Sequence, residues 1–243
     1  MQNLTDRQEK ILHLVVDDYV ETAQPVGSRI ITKRHSLGVS PATIRNEMAE
    51  LEEEGYLQQP HTSAGRIPSD KGYRYYVDNL MEVEITTTKA LQEIRRQYQK
   101  LNRDIENILH ETVKLLAHIT SYASVALTPD NKLWASGLPN IVNHPEFRDI
   151  DKIKAILEIL EQEKILSGIL RDEQAEDIHI GNENNMPQMK ECSMVTAVYE
   201  IGGIPVGSFG VIGPTRMCYG RVLGAVRSVA SSLKAKLLDL DQQ

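Results

Sequence analysis

Cysteine is nearly absent. Cys192 and Cys218 are the whole complement, and they stand in no metal-ligand spacing, which excludes a cysteine-based zinc module and a disulfide-stapled fold. No metal is expected, and a reducing cytoplasm is the simplest setting. Long apolar runs are missing too. No stretch reaches the roughly 18 residues that begin to span a bilayer, and the opening MQNLTDRQEK lacks the basic-then-apolar order of a signal peptide. Positive charge is in deficit, with 27 Lys and Arg against 34 Asp and Glu and a net charge of -7, a total that by itself disfavours a nucleic-acid binder. Catalytic signatures are also missing: there is no HExxH, GxSxG or P-loop, and the histidines lie scattered at positions 13, 35, 61, 110, 118, 144 and 179. Neither an enzyme nor a bound cofactor is expected. What remains is a 243-residue chain, 41% hydrophobic and 25% charged, the balance of a folded globular protein with one large or two modest domains.

The distribution of charge says more than its sum. Between Glu21 and Glu47 there is no acidic residue, while Arg29, Lys33, Arg34 and Arg45 fall there; between Glu54 and Asp70 there is again no acid, and Arg66 does. A protein that docks one face on phosphate needs a locally basic surface, not a basic total.

Thr5-Asp6-Arg7-Gln8 has the form of a capping box, predicting a helix that carries Ile11, Leu12, Val15, Tyr19 and Val20 and ends before Pro25 and Gly27. Ser28 can cap a short second helix to about His35. After the turn at Leu37-Gly38-Val39, Ser40-Pro41 opens a third, with a hydroxyl cap and proline at its first position. Ile44, Met48 and Leu51 form its apolar stripe, and Gly55 ends it. Two short helices joined by a turn make a helix-turn-helix pattern. Its second helix would present free N–H groups to a phosphate, with Ser40, Thr43, Arg45 and Asn46 at its N-terminal end. Arg45 can fork onto guanine and Asn46 onto adenine in a major groove. The run from Tyr56 to Pro68, with its turn at His61-Thr62-Ser63-Ala64-Gly65, predicts a hairpin, and a hairpin directly after a recognition helix is a wing. The candidate DNA contacts are Arg29, Ser40, Thr43, Arg45, Asn46, Ser63 and Arg66, with Arg66 at the wing's edge on backbone or minor groove.

Two stretches, LTDRQEKILHLVVDDYVETAQPVGSR and VSPATIRNEMAELEEEGYLQQPHTSAGRIPSDKGYRYYVD, closely resemble the signature of the HrcA repressors. GVIGPTRMCYGRV and the run around Gly137-Leu138-Pro139-Asn140-Ile141 extend the resemblance to the C-terminal half. The resemblance implies a winged-helix repressor that binds an inverted-repeat DNA operator upstream of chaperone genes as a homodimer and is kept active by the GroE chaperonin. It also implies a GAF-like C-terminal half. Members of that family are longer and carry an inserted dimerisation domain. Here Leu127-Thr128-Pro129 runs almost directly into Lys132-Leu133-Trp134, leaving no room for one. Tyr73, Tyr75 and Tyr76, inside the signature, read as packing residues that join the domains.

From Lys89 to His118 there is no proline or glycine, and Leu91, Ile94, Tyr98, Leu101, Ile105 and Ile108 recur at spacings of three and four. This predicts a long helix over 81–120 linking a winged domain (1–80) to the C-terminal domain (121–243). Two packings satisfy the pattern: against the chain's own C-terminal domain, or against its twin across a dimer seam. The near-strict heptad favours the seam, which would replace the missing insert.

The C-terminal half alternates strands with helices. Strands are expected at Ser124–Leu127, Trp134–Ser136, Ile178–Ile180, Met194–Tyr199 and Val206–Ile212, the last two joined by a turn at Gly202-Gly203. Asp149 would cap a helix carrying Ile153, Ile156, Leu157 and Leu160. A final helix over 220–240 would bury Val222, Val226, Val229, Leu233 and Leu237. The fold class is therefore α+β: an N-terminal winged helix-turn-helix, a linking helix and a GAF-like antiparallel sheet with flanking helices. Gly207-Ser208-Phe209-Gly210 sits within a strand and is no phosphate cradle. Arg216 suits an ion pair with a carboxylate of its own chain. Beside the repressor reading stands an alternative, a regulator whose GAF-like domain senses a small molecule.

Overall fold

The computed structural model describes residues 4–101, 104–147, 154, 157, 158, 163–172, 176–184, 186–201 and 203–241. The chain forms two compact units, residues 1–82 and 83–243. Of the helix expected after Asp149, positions Asp149, Ile153, Ile156 and Leu160 lie outside the described residues, as does Gly202.

The first unit opens with α1 (Asp6–Thr22), held at its start by the predicted capping box: Thr5 accepts from the Gln8 backbone and Gln8 reaches back to that of Thr5. Helix α2 (Ser28–Arg34) follows. Ser28 is its first residue and not its cap; Gly27 takes that position without a side-chain bond. Helix α3 (Pro41–Glu53) starts as expected, Ser40 Oγ accepting from Thr43 N at 3.1 Å, and Pro41 is at N1. Such a cap is worth ~1 kcal/mol. Strands β1 (Leu57–Gln58) and β2 (Ile67–Pro68) pair antiparallel, and Val26 adds a third rung by bridging Arg66. Ile11, Leu12, Val15, Ile31, Ile44, Met48, Leu51 and Leu57 form the core.

Helix α4 (Asp70–Tyr75) and a π-helical turn (Tyr76–Leu80) close the unit. Gly72 allows the approach: a Cβ there would lie 2.1 Å from the Tyr56 carbonyl oxygen. The tyrosines pack, but inside this unit. Tyr73 is buried, Tyr75 donates to Glu9 at 2.5 Å and Tyr76 to Asp17 at 3.2 Å, pinning α4 and the turn to α1. Desolvation, then the Glu9 bond, push the Tyr75 phenol up to about 12.

The second unit corrects the single linking helix. Helix α5 (Thr88–Lys100) ends where Leu101 turns extended, and α6 (Ile105–Thr120) starts anew on an Asp104 cap. Lys236, far along the chain, donates to the Leu101 carbonyl at 2.9 Å and satisfies a group the helix end leaves open. The apolar stripe is divided with it. Ile94, Tyr98 and Ile108 are buried within one chain, where α5 and α6 pack on each other and on α9 (Tyr219–Asp241), and Leu91, Leu101 and Ile105 are half-buried there. Tyr98, a poor seam residue, bonds Thr112 Oγ1 at 2.6 Å across the α5–α6 hairpin. Of the two packings the heptad allowed, this is the intrachain one.

The sheet is antiparallel throughout. Its strands are β3 (Ala123–Leu127), β4 (Leu133–Ser136), β5 (Asp177–Ile180), β6 (Cys192–Ile201) and β7 (Ile204–Pro214), in spatial order β4-β3-β7-β6-β5. The β3–β4 turn is tight: Thr128 Oγ1 accepts from Lys132 N at 2.8 Å and donates to Asp130 at 2.6 Å. One face buries Val125, Leu127, Met194 and Ile212 under α7 (Leu138–Ile141), Phe147, and Leu166 and Leu170 of α8 (Glu163–Asp172). The opposite face meets α6 and α9, where Ser193 Oγ bonds Tyr219 OH at 2.6 Å. Val222, Val226, Val229, Leu233 and Leu237 of α9 are all buried, as periodicity predicts. Arg216 forms a forked ion pair with Glu146, the intramolecular carboxylate expected for it.

Candidate nucleic-acid interface

The two acid-free windows, separated in the sequence by the rest of α3, meet in space. A cleft of about 660 Å³ opens between the start of α2, the body of α3 and the β1–β2 hairpin, and Arg29, Arg45, Gln59, Ser63 and Arg66 are among its walls. Among the described residues, none that bears a carboxylate lines it. Four of the seven expected DNA contacts are therefore brought together. The other three, Ser40, Thr43 and Asn46, belong to the first turns of α3 outside the cleft; Ser40 and Asn46 are exposed and Thr43 is half-buried.

Three of the four acids of α3 are engaged elsewhere, which leaves Arg45 and Asn46 with less competing charge beside them. Glu47, buried, pairs with Arg7 at 2.5 Å; Glu50 accepts from Gln8 at 3.0 Å; Glu52 accepts from Arg66 at 2.8 Å. The same accounting alters two expectations. Arg66 is not a loose cation at the wing's edge: its Nε and Nη2 both reach Glu52 Oε2 at 2.8 Å, and its side chain is only 19% exposed. It braces the hairpin against α3. The first turn of α3 has fewer donors to offer than expected, since Pro41 has no N–H and those of Thr43 and Ile44 go to Ser40.

Arg34 is drawn off as well. It donates to Asp18 at 2.6 Å and Glu21 at 2.5 Å, and the bond to Glu21 followed by the Asp18 charge raises its pKa. A residue not singled out from the sequence shapes the hairpin instead. Gln59 Nε2 donates to the carbonyls of Thr62 (3.1 Å) and Ala64 (2.8 Å). No sequence signal distinguishes Gln59 from its neighbour Gln58; only the fold of the loop does.

Three helices, a two-strand hairpin and a basic cleft between helix and hairpin define a winged-helix, regulator-like unit followed by an antiparallel α+β unit. Comparison with known proteins makes the reading specific. The family model described as "HrcA protein C terminal domain" matches residues 88–223. The chain is 34% identical to the heat-inducible transcription repressor HrcA of Pelotomaculum thermopropionicum, covering 96% of this chain and 97% of the relative, and 33% identical to that of Moorella thermoacetica, covering 98% and 99%. The chain belongs to the HrcA family of heat-inducible transcription repressors, which are not enzymes. These alignments extend over 337 and 340 residues, more than the 243 of this chain, so the relatives carry residues with no counterpart here. A crystal structure described as a hypothetical protein has the same fold, with a TM-score of 0.81 at 19% identity over 98% of this chain and all of that one.

Proposed function

We infer that this chain represses heat-shock chaperone genes by binding an inverted-repeat operator as a dimer, so that promoter occupancy excludes polymerase. The observation that carries the reading is the convergence of Arg29, Arg45 and Arg66 from two acid-free windows on one cleft beside an exposed helix turn. An overall charge of -7 does not oppose it, because binding depends on the local field. Arg29, Ser40, Thr43, Arg45, Asn46 and Ser63 are the DNA-facing set, with Arg66 beside them on its Glu52 brace.

A two-fold partner places two α3 helices on the two half-sites. Burial of Ile94, Tyr98 and Ile108 within one chain supports a partner contact elsewhere on the molecule. Heat would relieve repression through stability, since 1–2 kcal/mol alters active abundance several-fold. The GroE chaperonin would then restore the folded repressor, a role that rests on family membership alone. No observation favours the small-molecule sensor over this reading.

The test is a fluorescence-anisotropy titration of the full chain against a chaperone-promoter inverted repeat and a scrambled duplex at two salt concentrations. Salt-sensitive binding that prefers the repeat is expected. Equal, weak affinity for both duplexes refutes sequence-specific repression by this chain alone.

A further inference from the structure

We propose that the cleft between α3 and the hairpin seats a phosphodiester of the DNA strand, that Arg29 and Arg45 are its ligands, and that Gln59 is the positioning residue holding the hairpin wall against it. The proposal deepens the operator-binding reading and rests on it. It also moves Arg45 from the base-reading role that sequence position alone suggested.

The lining comes first. Arg45 borders the cleft together with hairpin residues Gln59 and Ser63, whereas Asn46, the next residue, does not. Successive helical residues point about 100° apart, so the two cannot address the same element. The cation that shares a concave wall with the hairpin is placed for the strand running between helix and hairpin; Asn46 remains for a base edge. Arg29 enters the same wall from the start of α2, and Arg66 adds a third guanidinium whose partner Glu52 is not among the lining residues. At about 660 Å³, the space admits a stretch of sugar-phosphate and not merely an isolated ion.

The hairpin wall is built to keep its position. Val26 and Arg66 exchange two backbone bonds of 2.8 Å, N–H to carbonyl in each direction. Gly65 lies so close to that rung that a Cβ would sit 2.5 Å from the Val26 carbonyl. Arg66 ties the wall to α3 through Glu52. The loop bearing Ser63 is then held by Gln59, through Thr62 and Ala64, and by a longer 3.4 Å bond between Ser63 Oγ and His61 Nδ1. A preorganised wall loses little conformational entropy when a strand arrives.

The experiment uses the full chain and measures affinity for operator and scrambled duplexes across a salt series. For Arg45→Ala and Arg29→Ala, the proposal expects about the same several-fold loss on both duplexes. It also expects a salt slope shallower by about 0.9 per residue, the mark of one lost phosphate contact. Arg45→Lys should restore the slope. Gln59→Ala should weaken both duplexes and lower the slope while its melting temperature stays near wild type, an effect a purely structural glutamine would not have. Asn46→Ala should instead lose operator preference with its slope unchanged. A loss for Arg45→Ala confined to the operator, with unchanged slope, would overturn the proposal and return Arg45 to base reading. A melting temperature raised by inorganic phosphate in wild type but not in Arg45→Ala, with DNA binding unaffected by that variant, would assign the cleft to a free anion and also overturn it. Failure of the underlying reading shows separately, as a wild type with no preference for the operator.

Discussion

Replacing Ile108 with alanine tests the packing that distinguishes this fold from its most natural sequence reading. Ile108 has no exposed surface and lies on α6 where α5, α6 and α9 meet. Truncating a fully buried isoleucine removes its transfer free energy and leaves a cavity, together about 2–5 kcal/mol. For a unit of this size each kcal/mol lowers the melting temperature by roughly 2–4 °C, so the variant should melt about 4–20 °C lower. The chain's one tryptophan reports on the right place: Trp134 of β4 packs its ring, tilted by 35°, against that of His110 of α6 at a centroid distance of 4.6 Å. Urea unfolding followed by Trp134 fluorescence, at two widely separated protein concentrations, separates the two packings. If Ile108 is buried within one chain, the free-energy loss is the same at both. If it were buried between two chains, the truncation would also weaken the dimer, so wild type and variant would respond differently to concentration and the penalty would vary with it. A concentration-dependent penalty would refute the intrachain account.

Gly72→Ala should destabilise the first unit by about 1–3 kcal/mol, because its Cβ would lie 2.1 Å from backbone oxygen of Tyr56, which cannot move without disturbing the hairpin; circular dichroism melts of the full chain would show it as a lowered transition. Glu52→Gln should raise affinity for DNA of any sequence and steepen its salt slope by up to about 0.9, since it removes a charge and releases Arg66; an unchanged slope would show that Arg66 never meets phosphate. Acid should unfold the second unit for two stated reasons. Burial, the largest single influence, would raise Glu146, but the Arg216 hydrogen bond, a backbone hydrogen bond and the Arg216 and His144 charges together outweigh it and hold the carboxyl below its ordinary range, so its contribution is present above the unfolded pKa and is lost as pH falls through the lower folded one. His144 is also depressed, chiefly by burial and then by the Arg216 charge; it favours the folded state while neutral and opposes it once it must be protonated, on the same falling limb. Glu146→Gln should flatten the limb below pH ~4.5, measured as stability against pH; an unchanged limb would refute the Arg216–Glu146 contribution.

Where a structural cause was local, it was legible in the residues. The Thr5 and Ser40 caps, proline at the start of α3, the buried face of α9 and the hairpin after α3 all follow from interactions within a few positions, and they stand where spacing predicts. The break between α5 and α6 was partly legible: Asp104 is a capping residue, but without proline or glycine nearby the apolar spacing read straight through it. The ion-pair partner of Arg216 could be expected as a carboxylate, not as Glu146, because the two lie seventy positions apart.

The sequence by itself determined the class of fold, the family, and the fact that acid-free segments flank the recognition helix, because periodicity, caps and charge runs are properties of neighbouring residues. Tertiary structure alone decided which cations remain available. Arg34 is drawn to Asp18 and Glu21, and Arg66 to Glu52, while Arg29 and Arg45 are left facing one cleft. It also decided that the heptad stripe closes within the chain. Both depend on which distant groups meet. A 3-4 apolar spacing is satisfied equally by any complementary surface, and a charge is spent or free only according to what folding brings within reach.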